Sequence, residues 1–280
     1  MGKKIKVAFI LITVILIGWR VSFTQEIVNK KLKANIFQEN SLDLWDNYGI
    51  KVVPKKSNGI NDKEFHKKVF LTFDDGPSRN NTPKILEILK ENDVKATFFV
   101  IGTNAERNKD ILKSLDDSKM CVLPHSYSHE KNIYKSSELY FEDLKKCEIT
   151  VEKILGRGIR NIVRMPGGSG TGSGKRTVIE QIKNGLKNQE MMYVDWNVSS
   201  ADASAPTVDR SLIINGVKNH CKNVNFVVML MHDSATKTTT VEALPEIIQY
   251  LKASGYEFRD FNELTYAERN ELIKRKIAYR

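Results

Sequence analysis

The chain has 280 residues, of which 41% are hydrophobic, and a formal net charge of +10. This size and composition suit one domain with a buried core and terminal extensions. Its three cysteines, Cys121, Cys147 and Cys221, lack C-x-x-C spacing, which argues against a disulfide framework and favours reduced, buried thiols. The positive charge fits an acidic partner such as an anionic cell wall, or simply reflects a lysine-rich composition. No basic helix or aromatic–basic array points to nucleic acid.

The N-terminal segment has the pattern of an export signal. Residues 1–6 are positively charged, and an apolar run over residues 7–19 follows before Arg20. This run is shorter than the ~20 residues of a full membrane span. Because no small-residue cleavage site follows Arg20, we favour a retained anchor over a cleaved signal peptide for residues 1–24. A buried helix is disfavoured because the run has no polar face.

Residues 25–67 are polar and interrupted by Pro54, which predicts a linker or stalk. From Lys68 onward, strand-like apolar runs alternate with helix-like amphipathic runs. The predicted strands cover residues 69–73, 96–102, 120–125, 161–165, 191–198, 226–232 and 256–261. The predicted helices cover residues 82–92, 104–118, 136–155, 174–187, 208–221 and 241–254. The alternation predicts a parallel α/β domain over residues 68–265, as a barrel or an open sheet, with a charged helical tail over residues 266–280.

Two pairs of polar side chains stand at the ends of predicted strands. Asp74 and Asp75 follow the first strand, and their side chains point to different faces, so that one can bind a metal while the other takes a proton. His125 and His129 follow the third strand with the H-x3-H spacing of metal ligands. Either pair alone could be an ordinary turn or exposed histidines. Together they predict a catalytic zinc-type site, in which two imidazoles and one carboxylate leave a position open for water.

Five motifs follow one another in a fixed order, at residues 72–76, 125–129, 164–168, 195–196 and 230–233. They make residues 68–264 resemble the polysaccharide deacetylases, the NodB-homology domain of carbohydrate esterase family 4. The resemblance implies a distorted (β/α)7-type barrel and the metal-dependent hydrolysis of acetyl groups on a polysaccharide. A nucleotide site is not expected, because the glycine-rich segment at residues 167–174 matches neither G-x4-G-K-[ST] nor G-x-G-x-x-G. We interpret it as a flexible loop that faces the substrate.

The resemblance assigns the metal and the base. Asp75, His125 and His129 would hold a divalent cation, with zinc favoured and cobalt, nickel or manganese also compatible. Asp74 would be the general base, and Arg164 would pair with it and hold it ionised.

The resemblance also assigns the acid and the substrate contacts. His232 would protonate the leaving nitrogen, and Asp195 would orient that imidazole. Trp196 and Leu230 would surround the acetyl methyl group. A backbone N–H at Gly167 would stabilise the oxyanion.

The chain departs from the family pattern in the third motif, where Met165 and Gly167 replace a proline and an aromatic residue, and at Pro124, where asparagine is common. Neither change removes a ligand or an acid–base group. We therefore expect a monomeric, exported or membrane-anchored N-deacetylase of cell-envelope polysaccharide, acting on the N-acetylglucosamine of peptidoglycan. Alternative substrates are poly-N-acetylglucosamine, chitin oligomers and acetyl-xylan. The non-enzymatic alternative is a weakly active glycan-binding module, which the complete set of ligands and acid–base groups disfavours.

Overall fold

The computed structural model describes residues 66–279. The predicted signal or anchor over residues 1–24, and the predicted linker up to residue 65, lie outside the described residues. Between His66 and Tyr279, none of the helices combines the length and the apolar character needed to cross a membrane.

The described residues form alternating strands and helices. The strands are β1 (Lys68–Asp74), β2 (Thr97–Ile101), β3 (Cys121–Ser126), β4 (Ile162–Val163), β5 (Met192–Val194), β6 (Val198–Ser199), β7 (Phe226–His232), β8 (Glu257–Arg259) and β9 (Ala278–Tyr279). The α-helices are α1 (Thr82–Glu91), α2 (Gly102–Arg107), α3 (Lys109–Asp117), α4 (Ser137–Leu155), α5 (Arg176–Asn188), α6 (Arg210–Cys221), α7 (Thr238–Ala253) and α8 (Tyr266–Lys274). A 3₁₀ helix covers Lys131–Lys135.

The strands form two sheets. The larger sheet is entirely parallel and has the strand order β3-β2-β1-β7-β6. On the edge of β1 opposite β7, β8 pairs with the beginning of β1 and β2 pairs with its end. The smaller sheet has the order β4-β5-β9, in which β9 is antiparallel. A backbone hydrogen bond from Arg164 N to Pro124 O, 3.4 Å long, joins the end of β3 to the chain after β4. The predicted parallel α/β arrangement is confirmed.

Strand β1 separates two hydrophobic cores because its side chains alternate between two faces. Val69, Leu71 and Phe73 pack into the core formed with the helices. Phe70 lies on the other face and packs into the second core, which fills the interior of the domain. Since Asp74 shares the parity of Phe70, its carboxylate is directed into the interior. The apolar run therefore places a charged group at the buried end of a strand that is covered on both faces.

Two predicted elements are interrupted. The helix predicted over residues 104–118 is divided at Asn108, whose side-chain amide donates to Pro77 O (2.9 Å) and Asn104 O (3.1 Å). The strand predicted over residues 191–198 is divided into β5 and β6, because the chain passes from the smaller sheet to the larger one at Asp195. Both interruptions come from tertiary contacts that a local pattern does not contain.

The C-terminal segment is part of the folded domain. Helix α8 begins with a capping box between Thr265 and Glu268. Glu268 is buried and pairs with Lys68 (3.0 Å) and Arg259 (2.8 Å). Leu272 is fully buried in the interior core, and β9, which was not predicted, extends the smaller sheet. The predicted terminal helix is therefore present, but one of its faces is apolar and packed.

The three cysteines are free and buried, as predicted. Burial raises the pKa of each thiol, to about 11 for Cys221 and further for Cys121 and Cys147. All three thiols are therefore protonated at neutral pH and serve as small apolar groups in the cores.

Candidate active site

Three predicted metal ligands converge where β1 and β3 end. The carboxylate Oδ1 of Asp75 lies 3.5 Å from His125 Nε2 and 3.2 Å from His129 Nε2. One potential ligand atom from each residue lies within 4.8 Å of the other two. Asp75 Oδ1 is buried and accepts no hydrogen bond. A buried carboxylate oxygen without a donor, facing two imidazole nitrogens, is the environment expected where a cation binds.

The tautomer of His125 follows from its second nitrogen. His125 Nδ1 lies 2.7 Å from Arg164 O, a carbonyl that can only accept, so we assign the proton to Nδ1. This leaves the Nε2 lone pair directed at Asp75. Burial lowers the pKa of His125 to about 3, which keeps the ring neutral. A neutral imidazole whose outer N–H binds a backbone carbonyl is the usual arrangement of a metal-bound histidine.

The turn that carries His129 is fixed by Asp143 on helix α4. Its carboxylate accepts hydrogen bonds from Tyr127 N (2.6 Å) and Ser128 N (3.0 Å). His129 itself has a positive φ of 58°, and its backbone N–H donates to Ser126 Oγ at 2.9 Å. His129 is the most exposed of the three predicted ligands, with a side chain 39% accessible. The open side of the site is therefore next to His129.

Asp74 forms a buried ion pair with Arg164. The Arg164 side chain is fully buried, and its Nη1 lies 2.9 Å from Asp74 Oδ1. Burial raises the pKa of Asp74 above its ordinary value, while the charges of Arg164 and His232 oppose that rise. The predicted pairing is thus present. Burial nevertheless outweighs the positive neighbours, so Asp74 is more basic than an exposed aspartate.

The guanidinium of Arg164 is held on every side. It donates to Thr72 Oγ1 (2.6 Å), Val194 O (3.1 Å) and Asp195 O (3.1 Å). Its carbon lies 4.2 Å from the centroid of the Phe99 ring. These partners include residues of β1 and β2 in the larger sheet and of β5 in the smaller one. Arg164 therefore connects the two sheets next to Asp74.

His232 is oriented by Asp202, and the prediction that Asp195 orients it is wrong. His232 Nδ1 lies 2.8 Å from Asp202 Oδ1, and its backbone N–H donates to Asp202 Oδ2 at 2.8 Å. The Asp202 carboxylate is buried and also accepts from Thr240 Oγ1 at 2.9 Å. Burial alone would lower the pKa of His232, but the hydrogen bond and charge of Asp202, helped by Asp74 and Asp75, raise it to about 9.

Asp195 has a different position and partner. Its carboxylate accepts from the backbone N–H of Ser169 at 2.8 Å and from the Ser169 hydroxyl. It therefore anchors the start of the glycine-rich loop, in which Ser169 is 7% exposed. The reason for the misassignment is that Asp195 follows β5 in the smaller sheet. Asp202 follows β6, which pairs with β7 and so ends beside His232.

A signal for Asp202 is present in the sequence, though it is weak. Asp202 follows a short segment in which two serines stand between Val198 and Ala201, whereas Asp195 directly follows an apolar run and precedes a tryptophan. Only the pairing of β6 with β7 shows that this serine-containing segment includes a strand.

The chain is similar to known proteins in both sequence and structure. The family model described as polysaccharide deacetylase matches residues 61–187. A peptidoglycan-N-acetylglucosamine deacetylase of Bacillus cereus is 31% identical over 270 residues, covering 93% of this chain and 92% of that protein. The chain belongs to the polysaccharide deacetylase family. It is accordingly an enzyme, a hydrolase that removes acetyl groups from a polysaccharide.

Solved structures of polysaccharide deacetylases support the same assignment. The catalytic domain of a peptidoglycan N-acetylglucosamine deacetylase from Eubacterium rectale has a TM-score of 0.66 and 32% identity, covering 74% of this chain and 92% of that one. A CE4 esterase from Streptococcus mutans has a TM-score of 0.62 and 30% identity, covering 70% and 86% of the two chains. The resemblance stated from the five motifs is confirmed.

The three residues predicted to contact substrate in this deacetylase lie around the third motif and β7. Gly167 is exposed and has a φ of +76°, and Gly168 follows with a φ of +79°. A Cβ on Gly168 would lie 3.0 Å from the Trp196 ring, so the half-buried indole packs on the loop backbone. Leu230 is 7% exposed and lies two residues before His232 on the same face of β7. Their contacts with a substrate stay a prediction.

Proposed function

We propose that this polysaccharide deacetylase is a divalent-metal-dependent N-deacetylase that acts on the N-acetylglucosamine of peptidoglycan. The observation that carries the proposal is the register of β1 and β7, in which Asp74 pairs directly with His232. Neighbouring strands lie ≈ 4.8 Å apart, so a basic carboxylate and a cationic imidazole stand side by side at the same strand end. The Asp75, His125 and His129 cluster begins at the next residue.

Asp75, His125 and His129 would hold a divalent metal, with zinc favoured. When bound, such a metal would act as a Lewis acid and lower the pKa of a bound water. Asp74 accepts the proton of the attacking water, because burial makes its carboxylate more basic than usual. His232, kept protonated by Asp202, donates a proton from Nε2 to the leaving nitrogen. The products are acetate and a glycan amine. As the family resemblance implies, the backbone N–H of Gly167 would bind the carbonyl oxygen as its charge develops.

The peptidoglycan assignment is supported by the relatives from Bacillus cereus and Eubacterium rectale, both named for that substrate. The export pattern of residues 1–24 agrees with it, since such a substrate lies outside the cytoplasmic membrane. We propose an extracytoplasmic, cell-wall-associated location, through a retained anchor or after secretion, and a monomeric catalytic domain. We also interpret the two sheets as parts of one distorted (β/α)7-type barrel. No nucleic-acid partner is proposed.

The substrate is tested by acetate release from purified peptidoglycan, chitin oligomers and acetyl-xylan at matched acetyl concentrations with added zinc or cobalt. We expect the highest kcat/KM with peptidoglycan, together with new free amines on its glucosamine. Faster release from chitin oligomers or acetyl-xylan would contradict the peptidoglycan assignment and leave the deacetylase chemistry in place. Location is tested separately, by fractionation of cells and N-terminal sequencing of the full chain.

A further inference from the structure

The metal-binding aspartate has a backbone conformation that needs external support. Asp75 has a φ of +75°, in the left-handed region that non-glycine residues rarely adopt. Such a conformation persists only where the surroundings hold it. The contacts of the Asp75–Gly76 turn therefore show which residues position the carboxylate.

One side of the turn is held by Asn104 at the beginning of α2. Its side-chain amide donates to Asp75 O at 2.9 Å. The neighbouring backbone adds two bonds, from Asp75 N to Phe99 O (3.2 Å) and from Ile101 N to Gly76 O (2.9 Å). Because the Asn104 bond is the one made by a side chain, it can be removed without altering the β2 backbone.

The other side of the turn lies against Asp233, the residue after His232. Asp233 is fully buried, and a Cβ on Gly76 would lie 2.0 Å from its Oδ2, so the turn backbone rests directly on this carboxylate. Thr82 Oγ1 donates to Oδ2 at 2.5 Å, while Oδ1 is buried and accepts no hydrogen bond. The backbone of Asp233 also donates to Asp74 O at 3.1 Å.

We propose that Asn104 and Asp233 act as a two-sided clamp that holds the Asp75–Gly76 turn and so preorganises the Asp75 carboxylate for the metal. Both are positioning residues, since neither side chain belongs to the ligand cluster itself. Asn104 fixes the backbone carbonyl of Asp75 through its hydrogen bond, and Asp233 fixes the position of Gly76 through direct contact on the opposite side of the turn. The inference rests on the metal site of the proposed function.

The clamp is distinguished from ordinary packing by metal affinity. Competition of the full-length chain with a chromophoric chelator for zinc, and separately for cobalt, measures affinity without any substrate. Asn104→Ala removes the amide donor, and Asp233→Ala removes the buried carboxylate on which the Gly76 backbone rests. We expect each variant to bind metal roughly 10–100-fold more weakly, as is typical when groups that orient metal ligands are changed.

A matched control is Asp260→Ala. Asp260 is also buried and accepts backbone hydrogen bonds from Asn262 (2.8 Å) and Glu263 (3.2 Å), but it lies outside the ligand cluster. We expect this variant to retain the parent affinity even if it lowers the unfolding midpoint. Circular dichroism and thermal melting in the presence of chelator verify that each variant is folded.

The outcomes separate the inference from the function on which it rests. Parent-like metal affinity in folded Asn104→Ala and Asp233→Ala would overturn the clamp while leaving the metal site intact. Absence of metal binding by the parent chain would instead overturn the proposed function. If Asp233→Ala fails to fold, Asn104→Ala alone decides: weakened binding supports the clamp, and unchanged binding overturns it.

Discussion

Asp202 contacts His232 through both of its carboxylate oxygens, one on the ring Nδ1 and one on the backbone N–H, each at 2.8 Å. This double contact fixes the position of the residue and the tautomer of its ring together. Burial alone would raise the pKa of Asp202, but the hydrogen bonds and charge of His232 lower it below its ordinary value. The raised pKa of His232 and the lowered pKa of Asp202 therefore describe one stabilised ion pair.

Replacing Asp202 by asparagine should remove the acid function of His232. The buried imidazole would lose its anion, its pKa would fall, and kcat should drop on the order of 10²–10⁴-fold, the usual contribution of a general acid. The high-pH limb of the rate profile should move to lower pH. Asp195→Asn is the matched control and should leave that limb in place, because Asp195 binds Ser169. A shifted limb in the Asp195 variant would restore the original assignment.

The same pair predicts how stability depends on pH. His232 has a pKa of about 9 in the folded chain against 6.5 ordinarily, so the fold binds the proton more tightly than the unfolded chain does. The Asp202–His232 pair therefore contributes fully to the free energy of unfolding below pH 6.5, and this contribution is lost as the pH rises towards 9. Urea unfolding should be measured from about pH 6 to about pH 10, which spans the titration of His232. Over this range the free energy of unfolding should fall more steeply for the parent than for Asp202→Asn. Parallel profiles would contradict the pairing.

Arg164 should be essential for stability as well as activity. Arg164→Ala would leave the buried Asp74 carboxylate without its ion-pair partner, which typically costs about 3–5 kcal/mol. Arg164→Lys should rescue little, because a single ammonium cannot reach Thr72, Val194 and Asp195 together. Arg79→Lys, in an exposed pair with Asp110, is the control and should cost at most about 1 kcal/mol. Chemical unfolding midpoints measure the stability of the Arg164 and Arg79 variants. Equal losses of stability in the two would show that the buried hydrogen-bond network of Arg164 is not stabilising.

The C-terminal helix should be required for folding. Leu272 is fully buried, and Leu272→Ala should cost about 2–5 kcal/mol of unfolding free energy. The adjacent Ile273 is 39% exposed, so Ile273→Ala should change stability by less than about 1 kcal/mol. Thermal melting of the two variants makes the comparison. A neutral Leu272→Ala would mean that α8 is an independent appendage.

Much of the fold follows from local patterns. Strands β1 and β7 are long apolar runs, and their ends at Asp74 and His232 were located from the sequence within one residue. Strand β4 lies within the strand predicted over residues 161–165. The two-residue strands β6 and β9 could not be predicted as separate strands, because each exists only through pairing with a distant strand. Sequence periodicity needs more residues than these strands contain.

The site divides in the same way. Asp75, His125 and His129 could be selected because strand ends and ligand spacing are local features, and the structure brings them together. The partner of His232 could not, since Asp202 is brought near by the path of β6. Asp233 was also missed as a support, because its contact with Gly76 spans more than 150 residues of chain.

The most direct test of the central claim is acetate release from peptidoglycan by the full chain with added zinc or cobalt, beside Asp74→Ala. We expect the parent to release acetate and the variant to lose nearly all of that activity while still binding metal through Asp75, His125 and His129. Metal binding by the variant, measured by chelator competition, is the internal control. Equal acetate release by both proteins would contradict Asp74 as the general base, and no release by a metal-loaded parent would contradict peptidoglycan as the substrate.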